Sequence, residues 1–374
     1  MKLTDICEFH GGSQPPKSEW SSEYKDGYIR MLQIRDFTQE GRVTPEYVKI
    51  SNRLRLCTED DILIGRYGAS VGKILSGKSG AYNVAIMKAV SDTSVVRKQY
   101  LRYYFLSPNF QNYILNLGGR AAQAGFSKDD LARLEITVVS LEEQDKIVNE
   151  LSTLEKTIST KQKQLKEFDD LVKSRFIEMF GTLDLSIQGE TWLPLSDVST
   201  IFTGTTPSTK DIENWNGDIP WVTPAELSDD SFVVCDTERK ITQKGMKSKS
   251  LSLMPKNTVL LSTRAPIGKV AITGIEMCCN QGFKNFYCNN TVLNPIYLYT
   301  LLRNNSEYLN SLGTGTTFKE ISKKNASNIK VPVADISLQN DFADFVKLID
   351  KSKFVGYFTL NIFYVKSSHF HHPP

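Results

Sequence analysis

Two short segments of the sequence look like parts of a phosphate-binding loop. Residues 66–74 read RYGASVGKI and residues 264–270 read RAPIGKV, so both contain a Gly-Lys pair. A Walker loop needs a glycine, four further residues and Gly-Lys-Ser/Thr, because its amides wrap a phosphate and its hydroxyl binds magnesium. Here the spacing is wrong and an aliphatic residue follows each lysine. The pair instead predicts a tight turn between strands, with Lys73 and Lys269 projecting from matching loops.

Residues for other catalytic chemistry are sparse. Histidine is limited to His10 in the body of the chain, which argues against histidine-based acid–base catalysis. The six cysteines form no Cys-x-x-Cys pair and show no zinc-ligand spacing, so we expect buried, reduced thiols. The nucleophile elbow, the dinucleotide fingerprint and the Asn/Asp-Pro-Pro-Tyr/Phe tetrapeptide of amino-methyltransferases are also missing. These observations predict a non-catalytic chain with no cofactor or metal of its own.

Basic, amide and aromatic side chains recur in loops of both halves of the chain. Arg and Lys neutralise phosphates and read guanine, while Gln and Asn read adenine, so this set predicts contacts with double-stranded DNA. Each residue alone fits an ordinary solvated surface position better than a DNA contact; the prediction depends on their concentration at equivalent places. The candidates in the first half are Gln14, Lys17, Arg30, Gln33, Arg35, Arg66, Tyr67, Lys73, Arg120 and Gln123. Those in the second half are Thr206, Lys210, Trp221, Thr223, Arg264, Lys269, Asn280, Gln281, Thr314, Thr317 and Lys319.

The chain that carries these loops is long enough for two domains. It has 374 residues, 40% of them hydrophobic and 23% charged, which is typical of a globular protein. The net charge of +3 excludes a disordered basic arm but allows local basic surfaces. Apolar runs long enough for a signal peptide core or a membrane span are missing, so we expect a cytoplasmic protein.

An internal repeat organises the two halves. LTDI at residues 3–6 is echoed by LSDV at 195–198, and DILIGRYGASVGK at 61–73 by NTVLLSTRAPIGK at 257–269. LEITVVSLEEQ aligns with IKVPVADISLQ without a gap, which places Gln144 on Gln339. Ordered matches of this kind indicate duplication. We therefore predict two copies of one α/β domain, at residues 1–140 and 190–335.

A long helix is predicted at residues 141–182, because residues 141–180 lack proline and glycine and carry apolar residues at heptad spacing. Such a helix would extend about 60 Å and serve as a coiled-coil spacer; the alternative is an ordinary amphipathic helix packed on its own domain. Its seam consists of Ile147, Leu151, Leu154, Ile158, Leu165, Phe168 and Val172. A distal helix begins at residues 336–353, and its pairing residues are Leu338, Phe342, Phe345 and Ile349.

The last segment, residues 354–374, does not continue this pattern. It is aromatic and β-branched and has Lys366 as its one charged residue apart from histidines. We expect helical periodicity to stop near Lys353, which would leave the distal helix short, and we interpret the segment as an out-of-frame or recombined end. Its histidines, His369, His371 and His372, are not expected to form a physiological metal site.

Several motifs resemble the specificity subunit of type I restriction–modification systems. These are WLPLSDV at 192–198, TGTTPSTK at 203–210, LLSTRAPIGKVAI at 260–272, NQGFK at 280–284 and VPVADISLQ at 331–339. The resemblance implies tandem α/β (α+β) target-recognition domains, each reading half of a split DNA site, separated by helices that form an antiparallel coiled coil. It also implies that these helices dock two modification (methyltransferase) subunits, with restriction (motor-nuclease) subunits joining the complex. S-adenosylmethionine, ATP and magnesium would then belong to the partner subunits.

The ending leaves a second interpretation open. A truncated or phase-variable chain could occupy modification subunits, or bind DNA alone, without supporting activity. An ATPase or standalone methyltransferase is disfavoured by the missing motifs. The specificity-subunit interpretation and the truncated-chain interpretation differ in assembly with modification subunits, because that assembly depends on the distal helix.

Overall fold

The computed structural model describes residues 1–39, 41–118, 125–187, 189–264, 266–315 and 319–369, excluding the side chains at 354, 355 and 357–369. The chain divides into two compact units, Met1–Thr160 with Leu360–Pro374, and Lys161–Thr359. The predicted spacer helix is therefore shared between the units. Each unit is described by itself below.

The first unit contains two sheets and a layer of helices. Its strands are β1 (Cys7–Gly11), β2 (Trp20–Ser21), β3 (Tyr28–Leu32), β4 (Tyr47–Lys49), β5 (Leu56–Cys57), β6 (Ile62–Gly65), β7 (Ile74–Leu75), β8 (Gly80–Tyr82) and β9 (Ile86–Ser91). Its helices are α1 (Leu3–Ile6), α2 (Ile34–Thr38), α3 (Lys98–Leu106), α4 (Pro108–Gly118), α5 (Lys128–Leu131) and the start of α6 (Leu141–Phe180). The sheet orders are β1-β9-β6-β7 and β2-β4-β3-β8-β5. Strand β6 reads ILIG and is buried along its whole length, as expected for a strand covered on both faces.

The second unit repeats this arrangement. Its strands are β10 (Leu193–Pro194), β11 (Ser199–Thr203), β12 (Trp215–Val222), β13 (Val233–Val234), β14 (Lys240–Ile241), β15 (Val259–Ser262), β16 (Val270–Thr273), β17 (Cys278–Cys279), β18 (Phe283–Cys288) and β19 (Lys330–Val331). Its helices are α7 (Leu195–Val198), α8 (Gln243–Ser248), α9 (Pro295–Asn304), α10 (Ser306–Ser311), α11 (Lys323–Ser327) and α12 (Ile336–His369). The sheet orders are β11-β18-β15-β16-β13, β14-β12-β17 and β10-β19.

The strand orders confirm the duplication. The order β1-β9-β6-β7 recurs as β11-β18-β15-β16, with antiparallel neighbours in both cases. The parallel pair of β3 and β8 also recurs, as β12 and β17. Two domains therefore share one scaffold, and their differences lie in the loops and in extra edge strands.

The Gly-Lys pairs form the predicted tight turns. Gly72 and Gly268 have φ values of 78° and 94°, a conformation that glycine adopts at little cost. In both turns the backbone carbonyl of the lysine accepts a 2.9 Å hydrogen bond from the last residue of the preceding strand. The donors are the backbone N–H groups of Gly65 and Ser262. The Lys73 side chain is exposed as expected. The expectation for Lys269 is wrong, because its ammonium donates to the backbone carbonyl of Leu227 within the domain.

Helices α6 and α12 contain 40 and 34 residues, so the distal helix is the shorter one. The expected end of helical structure near Lys353 is nevertheless wrong, since α12 continues to His369. The segment contains no proline before Pro373 and only one glycine, Gly356. Aromatic and β-branched residues disfavour a helix by less than about 0.7 kcal/mol each and do not stop it.

Within the second unit the two helices run antiparallel. The rings of Phe176 and Phe342 lie 5.3 Å apart, and the Lys353 ammonium lies 2.5 Å from the Asp169 carboxylate. The predicted pairing residues Leu165, Phe342 and Ile349 are buried, and Phe345 and Val172 pack against the same core. Phe176 and Phe180 were missed: both rings also contact Tyr297, at 5.5 and 4.8 Å, so this end of α6 packs on its domain as well.

In the first unit the beginning of α6 packs on its own domain, as the alternative interpretation expected. Ile147 and Leu151 line a cavity together with Tyr100, Tyr103 and Leu134. Leu154 and Ile158 are half-buried, as are Phe168 and Leu338 in the second unit. The seam residues therefore serve both helix pairing and domain packing.

Candidate nucleic-acid interface

Three of the candidates in the first domain surround one carboxylate, that of Glu46. The Gln33 side-chain nitrogen donates to it at 2.5 Å, the Arg35 guanidinium donates to the same oxygen, and the Lys17 ammonium lies 3.8 Å from the other oxygen. Lys17 also lies 4.0 Å from the centre of the Trp20 ring, a cation–π distance. These side chains thus form one polar cluster on the surface of the domain.

Helix α2 positions this cluster. Gln33 is the residue before its first turn, and the Asp36 carboxylate accepts a 2.8 Å hydrogen bond from the Gln33 backbone, which is a capping arrangement. Asp36 is buried and forms an ion pair with Arg30. The Arg30 guanidinium is therefore committed to the scaffold, and its availability to DNA is lower than that of Arg35.

Arg66 and Tyr67 form a second group in the first domain. The Arg66 guanidinium lies 5.0 Å from the centre of the Tyr67 ring and donates to the backbone carbonyl of Phe126 at 3.4 Å. Tyr67 is 43% exposed, so part of its side chain is accessible to a ligand. Gln14 is also exposed. The predicted contacts Arg120 and Gln123 lie outside the described residues.

In the second domain Arg264 contacts the Glu320 carboxylate. Two nitrogens of its guanidinium lie 2.9 Å from one oxygen, while the ammonium of Lys284 lies 3.3 Å from the other. Burial raises the pKa of Glu320, but the hydrogen bonds and charges of Arg264 and Lys284 outweigh it and hold that pKa below its usual range. Sequence reasoning missed Lys284, although it falls within the NQGFK motif.

The remaining polar candidates of the second domain differ in whether their side chains form hydrogen bonds within the domain or are exposed. The Thr206 hydroxyl donates to the Gln281 side chain at 2.7 Å, so this pair belongs together at the surface. Asn280 accepts from the Gly282 backbone, and Thr223 donates to Glu226 at 3.0 Å, so both shape the backbone. Lys210, Thr314 and Lys319 are exposed, and Thr317 lies outside the described residues.

Trp221 is not a surface residue. It is 2% exposed, packs edge-on against Trp215 at 5.1 Å and donates its indole N–H to the Thr205 carbonyl. Its prediction as a DNA contact is wrong, because the side chain lies on the core face of β12. Arg239 was missed: its exposed guanidinium lies 3.7 Å from the centre of the Trp215 ring. It follows no motif, so only the tertiary structure reveals its position.

The cysteines are free thiols, and all but one are buried. Burial raises the pKa of Cys57 and Cys278 to about 11 and that of Cys7, Cys279 and Cys288 to about 12. Cys235 is exposed, which corrects the expectation of burial for that residue.

Within the described residues, no helix is long and apolar enough to cross a membrane.

The duplicated scaffold with divergent polar loops corresponds to a known family. The family model described as type I restriction modification DNA specificity domain matches residues 1–168 and again residues 190–354. The chain therefore belongs to the family of type I restriction–modification DNA specificity domains, with two copies of that domain in tandem.

Similar proteins are specificity subunits. The MjaIX specificity subunit of Methanocaldococcus jannaschii is 36% identical over 185 residues, covering 48% of this chain and 43% of that protein. The putative MjaX specificity subunit of the same organism is 25% identical, covering 67% and 60%. The match therefore spans about half the length of these relatives. The crystal structure of an S subunit from M. genitalium has a TM-score of 0.62 at 15% identity and covers 99% of this chain and 94% of that one, which shows a shared fold.

Proposed function

We propose that the chain is the non-catalytic DNA-specificity subunit of a type I restriction–modification complex and recognises an asymmetric, two-part site. One observation carries this proposal: the two domains have the same strand order but different polar clusters, around Glu46 in one and around Glu320 in the other. One scaffold presenting different side chains reads two different half-sites. Side chains of these types bind phosphates and base edges.

The helices have a separate role in this proposal. Helices α6 and α12 set the spacing between the half-sites and dock two modification subunits, and restriction subunits join through the complex. Methyl transfer, DNA translocation and cleavage are then the work of the partners, which supply S-adenosylmethionine, ATP and magnesium sites. The complex acts in the cytoplasm on duplex DNA.

Reconstitution tests the proposal. The full chain is mixed with its cognate modification subunits, and methylation of host DNA is measured with radiolabelled S-adenosylmethionine. We expect one complex on size exclusion and methylation that requires this chain. Methylation by the modification subunits alone at the same sites would contradict the proposal.

A second candidate function rests on the residue pattern of segment 354–374, which does not continue the heptad pattern of the distal helix. The family match stops at residue 354, whereas α12 continues to His369. The last turns of α12 therefore lie beyond the match, as the last turns of α6 lie beyond the first match, which ends at residue 168. A chain with this ending could hold modification subunits, or DNA alone, without supporting methylation; a stable complex that methylates nothing would favour this function.

A further inference from the structure

We propose that Glu46 and Glu320 are positioning residues, each of which sets the DNA specificity of its own domain. The inference rests on the proposed function and goes beyond it, since neither carboxylate was among the residues expected to contact DNA. Each one holds side chains that can read bases or bind phosphates, and each does so within a single domain. In each domain, therefore, one glutamate carboxylate holds several polar or basic side chains, although Glu46 and Glu320 do not occupy equivalent positions.

Glu46 is fixed by its backbone. Its carbonyl accepts a 2.8 Å hydrogen bond from Met31 of β3, and the next residue begins β4. The carboxylate therefore extends from a strand pair and not from a freely moving loop. It receives Gln33 and Arg35 on one oxygen and lies near Lys17 with the other.

This arrangement restricts what Gln33 can present to DNA. One N–H of the amide is used by Glu46, which fixes the orientation of the amide plane. The second N–H and a lone pair of the carbonyl oxygen remain for the bidentate pairing that glutamine makes with adenine. Without Glu46 the amide can turn over and present its groups in the opposite order. Arg35, similarly, keeps part of its guanidinium for a phosphate or a guanine.

Glu320 is held still more firmly. Its backbone N–H and carbonyl both pair with Thr314, at 3.0 and 3.1 Å. The Lys284 side chain is 8% exposed and supplies a fixed positive charge at 3.3 Å. Arg264 is 47% exposed and donates to the same carboxylate. Glu320 thus joins a buried cation to an exposed guanidinium and orients the latter.

A purely stabilising role fits the pairs of Glu46 poorly. Glu46 and Arg35 are both partly exposed, and ion pairs of this kind contribute little to stability because water and salt screen them. Orientation, by contrast, decides whether a side chain forms two hydrogen bonds to one base or none. Loss of the Glu46 carboxylate should therefore change recognition more than folding.

The test uses the full chain in complex with its modification subunits and a library of randomised DNA duplexes. Bound duplexes are selected and sequenced for the wild type, Glu46→Gln and Glu320→Gln. Glu59→Gln and Glu276→Gln are matched controls, because each removes one negative charge from an exposed position of the same domain. For Glu46→Gln we expect discrimination to fall about 5- to 100-fold at positions read by the first domain, with the other half-site unchanged. Glu320→Gln should give the reverse pattern.

The outcomes separate a failure of the proposed function from a failure of the positioning role. If the wild type selects no two-part motif, the proposed function itself fails. If the wild type selects one and Glu46→Gln and Glu320→Gln select it equally well, the positioning role is overturned. Equal losses in both half-sites, or the same losses in the control variants, would also overturn it, since they would reflect general charge or folding. Unfolding is followed by circular dichroism on every variant.

Discussion

Gln144 and Gln339 occupy the same place in the two domains and make the same three hydrogen bonds. Both are fully buried. The side-chain oxygen accepts from the backbone N–H of Arg97 in one domain, at 2.7 Å, and of Asn294 in the other, at 2.9 Å. Each side-chain nitrogen donates to two backbone carbonyls, those of Val95 and Val139 for Gln144 and those of Val292 and Ala334 for Gln339. The amide thereby joins the start of each long helix to a neighbouring loop.

Replacing either glutamine should destabilise its own unit. Gln144→Ala and Gln339→Ala each remove the side-chain partner of three partly buried backbone groups, so we expect a loss of about 3 kcal/mol in the free energy of unfolding. Urea denaturation followed by circular dichroism measures it. Gln164→Ala, on an exposed position of α6, is the control and should cost less than about 0.5 kcal/mol. Similar values for all three variants would contradict the role of the buried amides.

The contact between Phe176 and Phe342 should dominate the pairing of the helices in the second unit. Both rings are fully buried, so Phe342→Ala should cost about 3–5 kcal/mol through the cavity it leaves. Leu348→Ala, at a position on α12 that is 62% exposed, should have almost no effect. Thermal unfolding of both variants tests this difference. Equal melting temperatures would show that α12 does not depend on this contact.

Arg264→Ala should weaken DNA binding by the complex through the second half-site. The change removes an exposed guanidinium and leaves Glu320 with Lys284 alone. We expect a loss of about 1–3 kcal/mol in binding free energy, confined to duplexes that carry the second half-site. Fluorescence anisotropy with duplexes mutated in either half measures it, and Lys256→Ala, at another exposed position, is the control. Equal weakening on every duplex would identify a phosphate contact instead.

Cys235 should be the reactive thiol of the folded protein. It is exposed, whereas burial raises the pKa of Cys57 and Cys278 to about 11 and thus lowers the thiolate fraction at neutral pH. Iodoacetamide at pH 7.5 should therefore add one label to the native chain and none to Cys235→Ser. Mass spectrometry of the digested protein gives the positions. Rapid labelling of Cys278 in the native state would contradict the buried placement.

The sequence predicted the scaffold better than the site. Gap-free alignment placed Gln144 on Gln339, and the Gly-Lys pairs marked turns whose glycines have positive φ values, because these features depend on local backbone geometry. Trp221 and Phe176 were misjudged, since burial depends on which face of a strand or helix meets the rest of the domain. The predicted seam ended at Val172 and left out Phe176, whose ring packs against Tyr297 near the end of α6.

The polar clusters could not be predicted in the same way. Glu46 meets Gln33 and Arg35 across 13 and 11 residues of sequence, and Glu320 meets Arg264 across 56. These contacts join residues that only the tertiary structure brings together, and neither a periodicity nor a motif in the sequence predicts them. Residue types could indicate DNA contacts in general, but the partners of each side chain required the fold.

Methylation profiling of the host genome, with and without the gene for this chain, tests the central claim most directly. We expect one methylated motif that appears only with the chain and consists of two different half-sites at a fixed spacing. Replacing the loops of the second domain should change one half and leave the other intact. An unchanged methylation pattern, or a single continuous motif, would show that the chain does not specify a two-part DNA site.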